Sequence, residues 1–222
     1  MDDGCVLMFS GGRDSSIAAA RLARSGTVPT LVTITSDHLF GIERVRSRLA
    51  ELAGLLPGRT RWLRVKQPAD LATDTSFYER TCLPCHHAYV VAAAAVARSV
   101  GAGRLAFGYA RYQANWPEQT PLATSRLTAV LAEYDITLEL PVADLSSREA
   151  AENELTAMGL SPSALEQKCS RQVTNVTLEG DRLRTQISLW EDAIRRSMSE
   201  LDKIPAAIME DATLAEIVRV GR

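Results

Sequence analysis

The sequence predicts an α/β fold: a doubly wound, parallel sheet of five strands with helices on both faces, followed by a helical C-terminal extension. Three observations predict it. Short apolar runs alternate with amphipathic stretches along most of the 222 residues, and strand–helix alternation places successive strands parallel with the helices as crossovers. The first run, Cys5–Phe9, is apolar without alternation, as expected of a strand covered on both faces. It leads straight into Ser10-Gly11-Gly12 and then into small and apolar residues, the pattern of a strand, a sharp turn and a helix packed back on the sheet.

The elements follow in order. After strand Cys5–Phe9, Ile17–Ser25 carries residues suited to a helix on a sheet. The unit then recurs as strand Thr30–Ile34, helix Gly41–Ala53, strand Arg61–Val65, a helix over about His86–Val100 and strand Arg104–Phe107. A helix over about Thr124–Tyr134 and strand Ile136–Leu140 complete the five strands. Ser146-Ser147-Arg148-Glu149 is a capping box that opens a further helix to Met158. Pro57-Gly58 and Gly101–Gly103 fall where turns are needed. From Leu183 to Leu201, residues Ile187, Trp190, Ile194 and Met198 or Leu201 share one helical face. That face predicts a packed appendage or a homodimer contact through the C-terminal helix.

Composition bounds the function. With 46% hydrophobic and 23% charged residues, and 25 basic against 27 acidic side chains for a net charge of -2, the chain reads as one ordinary globular domain. A domain of this length buries roughly 70% of its unfolded surface, so neither disulfides nor a metal is needed merely to fold it. The near-neutral balance argues against a general nucleic-acid binder, although all but three of the basic residues are Arg, which suits phosphate recognition. The apolar run Tyr89–Ala97 is half of what a bilayer span of about 20 residues requires. No secretory signal pattern opens the chain, so the expectation is a cytoplasmic protein, without membrane association, whose four cysteines are reduced.

Ser10-Gly11-Gly12-Arg13-Asp14-Ser15-Ser16 lies between the first strand and the first helix. At the carboxyl end of a parallel strand, two glycines let the backbone approach a ligand, and the helix that follows aims free N–H groups and its positive dipole outward. Phosphate oxygens are the natural occupant. Ser10, Ser15 and Ser16 add hydroxyls, Arg13 adds a cation, and Asp14 can hold Mg²⁺ against the phosphates. The string is neither a Walker A loop nor a dinucleotide fingerprint.

The string resembles the PP-loop, S-G-G-x-D-[ST], of the N-type ATP pyrophosphatases. That resemblance implies a Rossmann-like sheet of the adenine nucleotide alpha hydrolase type. It implies a PP-loop ATP-binding domain over residues 1–170, with 171–222 as the C-terminal extension, and ATP with Mg²⁺ as cofactors. It also implies catalysis at Asp14 and Ser15: an acceptor oxygen attacks the α-phosphate, pyrophosphate leaves, and a nitrogen or sulfur donor displaces the adenylate. Thr35, within Thr33–Asp37 at the end of the second strand, and Gly108, after the fourth, would flank the nucleotide.

A second resemblance covers Gly108–Ser147. Trp116-Pro117-Glu118-Gln119-Thr120-Pro121, then Leu140-Pro141-Val142 and Leu145-Ser146, are similar to the 7-cyano-7-deazaguanine synthases. These place an aromatic-Pro-Asp-x-x-Pro loop over a deazapurine. Here Glu118 stands where that family has Asp, and the family's downstream cysteine cluster is missing. The resemblance implies a small-molecule or modified-nucleobase acceptor and an ammonia or sulfur donor, with tRNA the less favoured acceptor.

Cys82-Leu83-Pro84-Cys85 precedes a predicted helix, and Cys169 follows the last sheet-associated one. A C-x-x-C turn can share a metal, and a nearby helix N-terminus lowers thiol pKa values. The placement resembles the PP-loop tRNA thiolases, which implies that Cys82, Cys85 and Cys169 hold a [4Fe–4S] cluster. Zn²⁺ completed by His86 or His87 is the second reading, and unliganded or redox cysteines the third. Cys5, inside a strand, reads as a buried apolar thiol, and His38 as a loop residue near the nucleotide.

Overall fold

The computed structural model describes residues 4–68, 71, 80–171 and 176–220. Six strands form the main sheet. β1 (Cys5–Met8) lies in its middle, between β2 (Thr30–Thr35) and β5 (Arg104–Ala106), and pairs parallel with both. β4 (Arg61–Lys66) extends the β2 side and β6 (Thr137–Glu139) the β5 side, both parallel. The strand order, β6-β5-β1-β2-β4 with the sixth strand beyond β4, reverses direction of growth between β1 and β5. In such sheets the crevice beyond the carboxyl ends at that reversal is where ligands bind.

The sixth strand corrects the expectation of five. β8 (Ile208–Thr213) pairs antiparallel with β4, so the C-terminal segment is a helix, a strand and a short helix rather than helical throughout. Its sequence, IMEDAT, is half-exposed along its length and carries no apolar alternation, because an edge strand is held by its backbone ladder and by charges. Glu210 takes Arg46 at 2.5 Å, and Asp211 takes both donors of Arg61 at 2.7 and 2.5 Å.

Helices cover both faces. On one, α3 (Leu83–Val100), α4 (Pro121–Ala132) and α6 (Gly180–Ser199) pack over a core that includes Val6, Leu63, Leu105 and Phe107. On the other, α1 (Arg13–Arg24), α2 (Ile42–Leu52), α5 (Arg148–Ala157) and α7 (Leu214–Val220) enclose Leu7, Phe9, Leu31 and Trp62. The Ala/Val run of α3 is buried nearly all round because it lies between sheet and α6, which is where an unpatterned apolar helix must go. Ile187, Trp190, Ile194 and Met198 of α6 are buried in that same core. The apolar face expected to serve a homodimer is therefore covered by the chain's own α3 and α4.

α3 begins at Leu83, three residues before the expected His86, with Cys82 as its N-cap residue and Pro84 in its first turn. Proline favours that position because the N–H it lacks has no intrahelical partner there. Cys85 consequently lies within the helix rather than ahead of it. A short antiparallel pair, β3 (Leu39–Phe40) with β7 (Lys168–Cys169), sets Cys169 opposite Leu39. No helix among the described residues is long and apolar enough to cross a membrane.

Candidate active site

The seven loop residues divide into those that face the crevice and those that shape it. Ser10, Gly12, Arg13, Asp14 and Ser15 line a cavity of about 700 Å³ at the carboxyl edge of the sheet. Gly11 does not line it. Gly11 holds φ +82°, and a Cβ there would meet the Leu165 carbonyl at 2.9 Å and Val45 Cα at 3.2 Å, so only glycine makes this turn. Ser16 is buried under the loop, where its hydroxyl donates to the Gly12 carbonyl at 2.6 Å. Ser10 Oγ accepts from the Gly12 N–H at 3.1 Å and lies 3.1 Å from Ser15 Oγ, which fixes both hydroxyls at the cavity wall.

Arg13 is not free over the cavity. Its Nε donates to the Pro162 carbonyl at 2.8 Å and its Nη2 meets Glu152 at 3.0 Å, so it staples α1 to the segment after α5. The more available cation is Arg148, which also lines the cavity and whose pairing with Glu152 is 3.7 Å long. In the sequence Arg148 stands only as an interior residue of the capping box Ser146–Glu149. The residue that acts as that cap is Ser147, which accepts from the Ala150 N–H at 3.0 Å.

Asp14 receives the Tyr112 hydroxyl at 2.9 and 2.8 Å from its two carboxylate oxygens. Burial raises its pKa, and the Tyr112 bond and Arg13 oppose that rise while Glu166 adds to it. The strand opposite comes very close: a Cβ on Gly108 would stand 2.7 Å from the Ser15 amide nitrogen and 3.0 Å from Asp14 C. Gly108 thus lets the end of β5 seat against the first turn of α1, and it lines the cavity. Thr35 does not. Its hydroxyl donates to the Val65 carbonyl at 3.3 Å, on the β4 side, because a strand-end hydroxyl beside a neighbouring carbonyl is used within the sheet. Thr33 and Ile34 supply that part of the wall instead, and Gln167 Nε2 caps the Ile34 carbonyl at 2.8 Å.

The end of the cavity away from the loop is aromatic and polar. His86, Tyr89, Phe107, Tyr109, Trp116 and Gln119 line it. His86 Nδ1 lies 2.8 Å from the Tyr109 hydroxyl, and His86 Nε2 is 3.6 Å from Glu118 Oε1. Glu118 is completely buried, and neither of its carboxylate oxygens has a hydrogen-bond partner among the described residues. A buried carboxylate without donors is costly. Burial pushes the Tyr109 hydroxyl well up and the His86 imidazole down, with Glu118 adding to the first and opposing the second.

Cys82, Cys85 and Cys169 come into one neighbourhood at this edge, around Tyr89. The thiols are close enough to act on one another electrostatically, but among the described residues no three of His, Cys, Asp or Glu converge to hold a metal ion. The arrangement as it stands therefore does not fit a cluster or a closed zinc site. Burial, with Glu118 and the other two cysteines behind it, pushes the Cys82 thiol up to about 12. Cys85 is likewise raised by burial first and by Cys169 next. The expected lowering by the helix N-terminus is outweighed by desolvation. His86 faces Tyr109, and His87 Nε2 lies 2.9 Å from Ser197 Oγ, so neither histidine turns to the thiols. The one that does is His38, whose Nε2 is 3.6 Å from Cys85 Sγ.

The sequence matches no protein-family model and no curated protein. Solved structures do resemble it. A 4-thiouridine synthetase, solved as an RNA complex with bound ATP, superposes with a TM-score of 0.63 at 17% identity over 88% of this chain and 53% of that one. The NMN synthetase of Francisella tularensis superposes with a TM-score of 0.52 at 12% identity over 88% and 86% of the two chains. The present chain spans about half the length of the thiouridine synthetase. These likenesses are ones of fold: the chain shares the doubly wound α/β fold of both structures, with its S-G-G-x-D-S turn at the carboxyl end of the central strand.

Proposed function

We propose that the protein is an ATP-dependent adenylating enzyme. Its acceptor carries a carboxyl or amide oxygen on a deazapurine or similar planar heterocycle. The observation that carries the reading is one cavity lined both by the phosphate-type loop residues Ser10, Gly12, Asp14 and Ser15 and by the rings of His86, Tyr89, Tyr109 and Trp116, with the buried Glu118 lying behind His86. The loop suits a triphosphate, through the N-terminus of α1, the Ser10 and Ser15 hydroxyls and Arg148. The rings suit a flat heterocyclic ligand that stacks against them. The nucleotide use named for the thiouridine synthetase structure, solved with bound ATP, supports the assignment.

In this reading the acceptor oxygen forms a bond to the α-phosphorus as the bond to pyrophosphate breaks. A nitrogen or sulfur donor then forms a bond to the activated carbon, and AMP leaves with the oxygen. The chain's part is positioning and charge neutralisation. Asp14 and Glu166 would hold Mg²⁺, and the buried Glu166 Oε2, which has no hydrogen-bond partner among the described residues, suits a hard cation. When bound, Mg²⁺ neutralises phosphate charge. Sulfur as the donor is the second reading, favoured by the three cysteines gathered around Tyr89, a residue that lines the cavity. No step is assigned to a metal at those cysteines.

The test is ATP turnover followed by pyrophosphate release and AMP formation, with carboxylated and amide-bearing deazapurines and with unmodified tRNA as acceptors. Release that depends on a deazapurine supports the reading. Release that depends on tRNA moves the acceptor to RNA, and ADP formation in place of AMP overturns adenylation.

A further inference from the structure

We infer that Glu118, acting through His86, fixes the Tyr109 hydroxyl as a hydrogen-bond donor kept for a carboxyl or amide oxygen of the acceptor; the ligand half of the inference rests on the acceptor reading above. Glu118 is completely buried on the short 3₁₀ turn Pro117–Gln119, and neither of its carboxylate oxygens has a hydrogen-bond partner among the described residues. The one ion-pair contact described for it is His86 Nε2, 3.6 Å from its Oε1. Across the same ring, His86 Nδ1 lies 2.8 Å from the Tyr109 hydroxyl oxygen. His86 and Tyr109 line the cavity, so three side chains run in series from a sealed carboxyl group to the ligand space.

The direction of the His86–Tyr109 bond follows from charge. A lone charge sealed away from water is disfavoured far more strongly than a neutral or paired group, so the Glu118–His86 pair carries no net charge. The Cys82 thiol, which also feels Glu118, is pushed up to about 12 and stays neutral. Two proton arrangements make the pair neutral. In one, a Glu118 O–H donates to a bare Nε2; in the other, a Glu118 carboxylate faces a ring protonated at both nitrogens. The proton belongs to the pair rather than to either member, and in both arrangements Nδ1 carries a hydrogen. A ring nitrogen with a hydrogen donates, so the Tyr109 oxygen accepts. The Tyr109 proton then has no use at His86, the partner described for that hydroxyl, and is left for the occupant of the cavity. Burial holds the Tyr109 hydroxyl well above its ordinary pKa, which keeps that proton on the oxygen. A donor fixed there selects a ligand oxygen and opposes a ligand N–H, because two facing donors leave both unpaired. Tyr109 is thus the group that meets the acceptor, and Glu118 and His86 are positioning residues.

The experiment is ¹⁵N nuclear magnetic resonance of the three histidine rings, with His86 assigned by its loss in His86→Gln. Alongside it, calorimetry measures binding of a carboxylated deazapurine and of the same ring with a methyl group in place of the carboxylate. In wild type, His86 Nδ1 should carry hydrogen, and the carboxylated probe should bind about tenfold more tightly than the methylated one. Tyr109→Phe should remove that preference. Glu118→Gln, whose amide N–H can donate to Nε2, should keep both the Nδ1 hydrogen and the preference. Glu118→Leu should lose both without a fall in melting temperature, since an apolar side chain replaces one member of a buried polar pair; Glu118→Met serves if Leu does not fold. A lower melting temperature with the preference intact would make Glu118 merely structural and overturn its positioning role. A neutral wild-type ring with its hydrogen on Nε2 alone overturns the inference outright, as does a preference that survives Tyr109→Phe. Wild type that binds neither probe while Nδ1 carries hydrogen overturns the acceptor reading above, and with it the ligand assigned to Tyr109, but not the order of the protons.

Discussion

Gly108→Ala tests the seat of the phosphate loop. The added methyl carbon would stand 2.7 Å from the Ser15 amide nitrogen and 3.0 Å from Asp14 C and Ser15 Cα, all of them backbone atoms that no rotamer change can move. Ordinary carbon contacts lie near 3.5–4.0 Å, so β5 and the first turn of α1 must separate by up to about 1 Å. Overpacking of this kind costs about 1–3 kcal/mol, and in a chain of this size each kcal/mol lowers the melting temperature by about 2–4 °C. A drop of roughly 2–12 °C is expected in thermal denaturation. Catalysis should fall further than stability, since a misplacement of about 1 Å in a positioning site can cost about a hundredfold. Gly58→Ala is the control, because a Cβ there meets only Ala215 Cβ at an ordinary 3.6 Å. A Gly108→Ala protein that melts with wild type and releases pyrophosphate at the wild-type rate would refute the close-approach reasoning.

Three further outcomes are expected. Asp14→Asn should abolish pyrophosphate release yet raise the melting temperature at pH 7. The raised Asp14 pKa gives a contribution that is present below the unfolded carboxylate pKa and lost as pH rises through the folded one. The stability gain of the variant should therefore vanish near pH 3, and denaturation across pH checks it. Thr33→Val should cost about 2–4 kcal/mol by chemical denaturation. It strands the Trp62 indole N–H, now 2.9 Å from Thr33 Oγ1, and the Phe9 carbonyl that this hydroxyl reaches at 2.7 Å. Cys82, with its thiol pushed up to about 12, should alkylate at pH 8 about a thousandfold more slowly than an unperturbed thiol; site-resolved mass spectrometry reads this, and rapid labelling would show that Cys82 is solvated.

The residues themselves determined the local and periodic features. The unalternated Cys5–Phe9 run becomes the central strand because a strand covered on both faces needs no polar side, and Ser10–Ser16 form the turn beyond it. Gly11 was expected to bring the backbone to a ligand, but the structure uses its positive φ to fit the turn against Leu165 and Val45; the close approach of Gly108 to Ser15 and Asp14 appears only in the fold. The role of Thr35 was misread because its hydroxyl bonds across to β4, a contact no spacing reveals. β8 was invisible because an edge strand held by backbone bonds and by Arg46 and Arg61 needs no apolar alternation. Only the tertiary structure put Tyr112 on Asp14, ninety-eight residues apart in sequence, Glu166 over Gly12, and His38 rather than His86 or His87 beside Cys85. It also decided the character of the thiols. A helix N-terminus can be read from sequence, whereas the burial that outweighs it at Cys82 depends on what the whole chain packs around that cysteine.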